Sequence, residues 1–224
     1  MSEAEEKLGE GQGPLPRLPP GRHGLPREFV AENQRQRLSA GLIAAVAAGG
    51  YNETTITDIA AASGLSRRTF YVYFKTKEAC FTDTYEVVAS FLEETVAEAG
   101  EGERSWAARV RARLAALLGA FAANPDLVSF QLVAPPAAGG KVSTRHHAFL
   151  DGLLDALLLG RPKSARRPSL PARQGLAGGL TALIVEKAEA GEGERLPELL
   201  PDLAEMVLTP YLGRERAVAE AART

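Results

Sequence analysis

Cysteine, tryptophan and histidine are all scarce in this chain of 224 residues, which contains one Cys, one Trp and three His. A single cysteine excludes an intramolecular disulfide and is typical of a reducing compartment, so we expect a cytoplasmic protein. The sequence also lacks an apolar run long enough to span a bilayer. Its first residues are acidic and then rich in Pro and Gly, which is not the pattern of a signal peptide. We therefore expect no membrane partner.

Catalytic and metal-binding motifs are missing as well. The sequence contains no HExxH, CxxC or GxSxG pattern. His146 and His147 are adjacent, so on a helix they would diverge by about 100° and could not form an i, i+4 metal pair. Cys80 stands beside Phe81, where a small buried residue is expected. These observations predict a protein that is not an enzyme and that has no cofactor and no metal site.

Charge is unevenly distributed, although the net charge is only −2. Residues 22–80 contain eight Lys or Arg against five Asp or Glu, whereas residues 81–224 contain 16 basic and 19 acidic residues. A basic head on a mildly acidic body is expected where only the head meets phosphates.

The segment 54–77, TTITDIAAASGLSRRTFYVYFKTK, has the pattern of a short helix, a turn and a second short helix. Thr55 precedes the first apolar residue, and Asp58 follows three residues later, which predicts a capping box. Gly64 breaks the first helix and supplies the turn, and Ser66 caps the second helix. This is the layout of a DNA-reading helix-turn-helix.

The second of these helices, 66–73, is expected to contact DNA. At 3.6 residues per turn, Phe70 and Phe74 point inward, while Arg68 and Thr69 point outward. Arg can bind guanine edges through two hydrogen bonds, and Tyr hydroxyls suit phosphates. A plain amphipathic helix with a solvated basic face is the alternative. The expected DNA contacts are Arg27, Thr55, Thr57, Ser66, Arg67, Arg68, Thr69, Tyr71, Tyr73 and Lys77.

The run GYNETTITDIAAASGLSRRTFYVYFKTKEACF resembles the N-terminal DNA-binding domain of TetR-family transcriptional regulators. Two residues depart mildly from the usual family pattern, namely Ser63, where Ala is usual, and Tyr73, where His is common. The resemblance covers roughly residues 27–85. It implies an all-α protein of about nine helices, in which a three-helix head is joined by a long helix to a helical bundle. It also implies a homodimer that binds double-stranded operator DNA.

Three regions are predicted along the chain. Residues 1–26 form a flexible arm, residues 27–75 the DNA-binding head, and residues 76–224 a helical body for effector binding and dimerisation. The arm is either an ordinary disordered tail or a minor-groove arm that uses its arginines on DNA. The first helix is expected to end at Gly49-Gly50.

A pocket for a small apolar effector is expected inside the body, because a helical bundle can hold a ligand in an apolar cavity with a few polar groups. The few interior polar residues suggest a ligand with one or two polar groups, not a highly charged one. Ordinary core packing is the alternative. The candidate lining residues are Trp106, Phe121, Phe130, Gln131, His146 and Phe149.

Two apolar stripes near the C-terminus predict a dimer interface. In proteins that this chain resembles, the last two long helices pair with those of a second subunit. The alternative is that both stripes face the core of one chain. The candidate interface residues are Leu176, Leu180, Leu183, Leu203, Val207 and Tyr211.

The sequence thus predicts a ligand-responsive repressor that binds a pseudo-palindromic operator as a homodimer. Two alternatives stay open. One is a helical adaptor that binds an acidic protein through its basic face, and the other is a DNA-binding protein that responds to no ligand.

Overall fold

The computed structural model describes residues 27–223, except residues 164, 166 and 167. Within this part of the chain every regular element is helical, which confirms the predicted all-α class. The head contains the helices α1, Arg27–Glu53; α2, Ile56–Ser63; and α3, Arg67–Tyr73. The predicted arm, residues 1–26, lies outside the described residues.

The body contains seven further helices, two 3₁₀ segments and one π-helical segment. They are α4, Lys77–Glu98; α5, Trp106–Ala123; α6, Asp126–Val128; the π segment Ser129–Val133; a 3₁₀ turn, Pro135–Ala138; α7, Gly140–Leu157; α8, Leu170–Glu189; a second 3₁₀ segment, Gly193–Leu199; α9, Leu200–Leu212; and α10, Arg214–Ala221. The tenth helix arises because the chain turns at Gly213, with φ 78°, and folds back against α9.

The first helix is interrupted where the sequence predicted its end. Gly50 has φ 77° and ψ 161°, outside the helical region, so the regular helix stops there and residues 51–53 form a separate turn. Only glycine adopts such a φ without steric cost.

Helix α4 joins the head to the body through an aromatic core. Phe81 packs edge-on against Tyr51 of the head, with ring centroids 4.9 Å apart, and against Phe130 of the body at 4.6 Å. One turn later Tyr85 contacts Phe149 of α7. Phe81 and Tyr85 of α4 are therefore buried, and they connect both parts of the molecule.

Helix α1 holds the start of α4 through polar contacts. The Arg35 guanidinium donates to both carboxylate oxygens of Asp83, at 2.8 and 2.9 Å, and the Thr84 hydroxyl donates to Ser39. Helices α1 and α4 are consequently linked by polar contacts as well as by packing.

Among the described residues, no single helix is both long and apolar enough to cross a bilayer. Helix α5 and the segment 126–133 are long and apolar enough only when they are counted as one span, and their axes are bent by 108° relative to each other.

Candidate DNA-binding surface and body cavity

The capping box at the start of α2 is formed as the sequence predicted. Thr55 N donates to the Asp58 carboxylate at 2.8 Å, and Asp58 N donates to the Thr55 hydroxyl at 3.3 Å. Hydrogen bonds from the Thr55 hydroxyl and amide lower the pKa of Asp58. Thr55 and Thr57 are exposed at this helix start, where backbone N–H groups suit a phosphate.

The turn between α2 and α3 is tightly specified. Gly64 has φ 63°, in the left-handed region that ends α2. The Arg37 guanidinium of α1 donates to the carbonyls of Ser63 and Gly64. A Cβ atom on Gly41 would lie 2.7 Å from Ser63 N, so α1 and α2 can approach this closely only because residue 41 is glycine. The turn is thereby fixed on the body of α1.

Helix α3 presents a basic and aromatic face to solvent. Phe70 is fully buried and Phe74 is 6 % exposed, as predicted, and they anchor the helix. Ser66 caps it by accepting from Thr69 N at 3.0 Å. Val72 is 71 % exposed and Tyr71 is 52 % exposed, although both are large apolar or aromatic residues.

Arg67 and Arg68 are exposed on the same helix. Neither has a carboxylate within 4.0 Å among the described residues. Their guanidinium groups are therefore available to an external anion or a base edge.

Two of the predicted DNA contacts, Tyr73 and Lys77, bond across the head to α1 and the residues that follow it. The Tyr73 hydroxyl donates to Gln34 at 2.8 Å. The Lys77 ammonium donates to the carbonyls of Tyr51 and Thr54 at 2.6 and 2.8 Å, and it lies 4.2 Å from the Tyr51 ring centroid. Burial lowers the pKa of Lys77. These side chains brace α3 and α4 against α1, so a phosphate at Lys77 would have to replace a carbonyl contact.

The side chain of Arg27 lies outside the described residues, so its predicted DNA contact stays a prediction. The remaining candidates, Thr55, Thr57, Ser66, Arg67, Arg68 and Tyr71, are all exposed on α2, on α3 or at their caps, together with the half-buried Thr69.

This geometry coincides with a family match over residues 42–84, to the model described as bacterial regulatory proteins, tetR family. Residues 42–84 of this chain are therefore similar to the TetR-family regulatory domain. No curated protein sequence matches the chain. The resemblance recognised from the sequence is confirmed.

Solved structures of transcriptional regulators share the fold over most of the chain. The fatty acid degradation regulator FadR from Bacillus halodurans has a TM-score of 0.67 at 18 % identity, covering 78 % of this chain and 94 % of that protein. FadR from Bacillus subtilis, solved with stearoyl-CoA, has a TM-score of 0.64 at 17 % identity, covering 80 % and 98 %. A TetR-family regulator from Bordetella parapertussis 12822 has a TM-score of 0.60 at 23 % identity, covering 75 % and 94 %.

The body contains an apolar cavity between α5, α7 and α8. Its empty volume is about 420 Å³, which includes a mouth that is open to solvent. Thr181 supplies the one polar side chain of a lining otherwise made of apolar residues: Leu114, Leu117, Phe121, Leu132, Leu150, Leu153, Leu154, Leu157, Ala177, Leu180 and Ile184.

Of the six residues predicted to line a pocket, Phe121 alone lines this cavity. Phe130 and Phe149 pack in the aromatic core around α4, and Trp106 Nε1 donates to the Leu158 carbonyl. The prediction rested on aromatic residues, whereas the cavity is formed mainly by leucines. Helical spacing cannot distinguish an aromatic that packs on other aromatics from one that lines a void.

His146, another predicted pocket residue, is hydrogen-bonded to α4 instead. Its Nδ1 lies 3.0 Å from the Tyr85 hydroxyl, and both side chains are buried. Burial, and secondarily the neighbouring His147, lowers the pKa of His146 and so favours the neutral ring. A neutral Nδ1 can accept from Tyr85, which connects α7 directly to α4.

Gln131, in the π segment, is fully buried, and neither its amide oxygen nor its nitrogen has a hydrogen-bond partner among the described residues. Burying an amide without partners costs about 1–3 kcal/mol in proteins. We therefore expect Gln131→Met, which keeps the shape, to raise the free energy of unfolding by on the order of 1 kcal/mol. Urea denaturation of the ligand-free protein measures this value.

Gln36→Met is the matched control, because Gln36 is exposed on α1. It should change stability by no more than about 0.5 kcal/mol. A loss of stability in Gln131→Met would show that the amide is satisfied in solution, for instance by buried water.

Of the predicted dimer residues, Leu183 alone is exposed in the single chain, and the other five are buried. Leu183 is 36 % exposed on α8, whereas Leu203 and Val207 of α9 are fully buried within one chain. These two α9 residues therefore belong to the core of the subunit and not to an interface, because α10 and α5 cover their helix. Leu176 and Leu180 are 8 % exposed, and Tyr211 is 6 % exposed.

Proposed function

We propose that this protein is a homodimeric transcriptional repressor that binds a pseudo-palindromic operator and leaves it when an apolar effector enters the body. The DNA-binding part of this proposal rests on the exposed helix α3. In the described part of the chain, its Arg67 and Arg68 have no carboxylate partner. A recognition helix of this kind places its outward residues in the major groove.

The exposed face of α8 supports the dimer. Gly175, Gly178 and Ala182 are exposed small residues one turn apart, and Leu183 lies beside them. A surface of this shape lets a second helix approach closely, and the same surface on both subunits suits a two-fold interface. Two half-sites of an operator require two heads in a fixed relation.

The cavity supports effector control. The enclosed part of the cavity measures only about 30 Å³, whereas ligand sites usually measure about 300–1,000 Å³. The lining side chains therefore have to move apart to admit an effector. FadR from Bacillus subtilis was solved with stearoyl-CoA, and that protein shares the fold of this chain. We infer that an acyl or alkyl chain is the part of the effector that occupies the cavity here, because the leucine-rich lining offers almost no hydrogen-bonding group.

A connected set of contacts leads from the cavity to the head. Helix α7 lines the cavity and carries His146, which bonds to Tyr85 of α4. Helix α4 in turn contacts α1 through Asp83 and Arg35. An effector that favours a different position of α7 would shift α4 and change the separation of the two heads. The shift is limited by the difference in effector affinity between the two states.

Duplex DNA binding tests the first part of the proposal. A random duplex library selected on the protein should yield an inverted repeat, and affinity for it should fall linearly on a log–log plot against salt concentration. An adaptor for an acidic protein would enrich no sequence. Enrichment of unrelated sequences with the same affinity would also contradict the assignment of α3 as a sequence reader.

Effector control predicts a coupled response. A long-chain alcohol or acid that binds the cavity should raise the melting temperature and lower operator affinity by about 5- to 150-fold.

Ala177→Phe, which fills the cavity from α8, should abolish this response and keep operator binding. Ala222→Phe, exposed near the C-terminus, is the control. If the compound released Ala177→Phe from the operator as readily as it released the wild-type protein, the effector would bind elsewhere. If no such compound released the wild-type protein, a ligand-independent regulator would be favoured.

A further inference from the structure

A group of arginines surrounds the turn that follows α7. Arg113 of α5 is buried, and it donates to the carbonyls of Leu157 and Leu159. The guanidinium of Arg109 also reaches this turn, because a Cβ atom on Gly160 would lie 3.6 Å from its Nη2. The turn itself contributes a further arginine, Arg161, so positive charge accumulates at this end of the body.

Two carboxylates of α7 offset part of this charge. Asp155 forms an ion pair with Arg173 on α8, and Asp151 also helps to raise the pKa of Arg173. Arg109, Arg113 and Arg161 have no carboxylate within 4.0 Å in the described part of the chain. The group around the turn therefore carries an excess of positive charge.

Two buried donors in this group lack an acceptor among the described residues. The Tyr211 hydroxyl has no acceptor for its proton although the residue is only 6 % exposed, and Arg161 Nε is buried without a partner. The Arg161 guanidinium lies 5.5 Å from the Tyr211 ring centroid. Burial raises the pKa of Tyr211, and the charges of Arg173 and Arg161, together with a hydrogen bond from Arg161, oppose that rise. The hydroxyl therefore stays protonated near neutral pH and can donate. Buried donors normally have acceptors.

The turn adjoins the apolar cavity, because Leu157, whose carbonyl accepts from Arg113, also lines the cavity. Asp155 directly follows Leu154, and Arg173 precedes Ala177 by one helical turn, and both Leu154 and Ala177 line the cavity. The Asp155–Arg173 ion pair thus connects α7 to α8 just beyond the lining.

We propose that Arg161, Arg173 and Tyr211 form a subsite for the oxyanion head group of an amphipathic effector whose apolar chain lies in the α5–α7–α8 cavity. The head group accepts from Tyr211 Oη and Arg161 Nε and replaces Asp155 as the partner of Arg173. This inference rests on the proposed effector site. It differs from the weakly polar ligand expected from the sequence, because the arginines come together only through the packing of α5, α7, α8 and α9.

The replacement of Asp155 gives the head group a regulatory consequence. Breaking the Asp155–Arg173 pair removes a direct link between α7 and α8. Helix α7 is then free to move relative to α8, and α7 is the helix that contacts α4 through His146. The anionic head group and the apolar tail of the effector therefore both act on α7.

Matched ligands that differ in their head groups test the proposal. Calorimetric titration should show that the wild-type protein binds dodecanoate at least tenfold more tightly than 1-dodecanol. Arg173→Gln and Tyr211→Phe should each lose most of this preference while their affinity for 1-dodecanol stays within twofold. Arg195→Gln, an exposed arginine elsewhere in the body, should keep it. Dodecanoyl-CoA and free CoA distinguish a carboxylate subsite from a phosphate subsite.

Equal affinity for dodecanoate and 1-dodecanol in the wild-type protein, or failure of both dodecanoate and dodecanoyl-CoA to bind, would overturn the subsite. A preference that survives in both variants would also overturn it. Operator-release assays test effector control independently of the anion subsite. Release by 1-dodecanol without an anion preference would retain effector control and reject the subsite. Arg173-dependent anion binding without release would retain the subsite and reject effector control.

Discussion

Arg67→Ala and Arg68→Ala are each expected to weaken operator binding by about tenfold or more, because one good bidentate base contact contributes about 1–3 kcal/mol of discrimination. Both side chains are exposed on α3, and neither has an internal carboxylate partner among the described residues. The free energy of unfolding should stay within about 0.5 kcal/mol of the wild-type value. Fluorescence anisotropy with the selected inverted repeat measures the affinity.

Two controls make this experiment specific. Arg195→Ala removes an exposed arginine of the body and should leave operator affinity unchanged. A scrambled duplex of the same length reports the sequence-independent part of binding. If both α3 variants bind the inverted repeat as the wild-type protein does, α3 is not the helix that reads the operator.

Leu183→Glu is expected to convert the proposed dimer into a monomer and to abolish operator binding at concentrations where the wild-type protein saturates the operator. A carboxylate placed in an apolar interface without a partner is strongly disfavoured, and breaking the interface uncouples the two half-sites. Leu183 is 36 % exposed in the single chain, so the substitution leaves the subunit core intact. Light scattering measures the mass, and circular dichroism checks the fold.

The choice of control is decided by the structure. Val87→Glu introduces the same charge at a residue that is 64 % exposed on α4, and it should remain a dimer. Val207→Glu is unsuitable, because Val207 is fully buried in one subunit and the charge would unfold it. A Leu183→Glu protein that stays dimeric would show that the subunits meet on another surface.

The sequence alone determined the features that depend on neighbouring residues. The capping box of Thr55 and Asp58 and the turn at Gly64 each involve residues within one or two helical turns, so their patterns are visible in the chain. The inward direction of Phe70 and Phe74 follows from helical periodicity in the same way. The DNA-binding head has the most regular local signals of the whole chain, and for this reason its helices and turn can be predicted from the sequence.

Only the tertiary structure decided the roles of residues whose partners are distant in sequence. Lys77 contacts carbonyls 23 and 26 residues away, and Tyr85 reaches His146 across 61 residues. No periodicity reveals that α10 covers α9, so that Val207, predicted to lie in an interface, lies in the core. Nor does periodicity reveal that leucines, with Phe121 as a single aromatic, make up most of the cavity lining. Which side of a helix faces a neighbour, a void or a second subunit depends on how all the helices pack together, and a single amphipathic stripe fits each of these outcomes equally well.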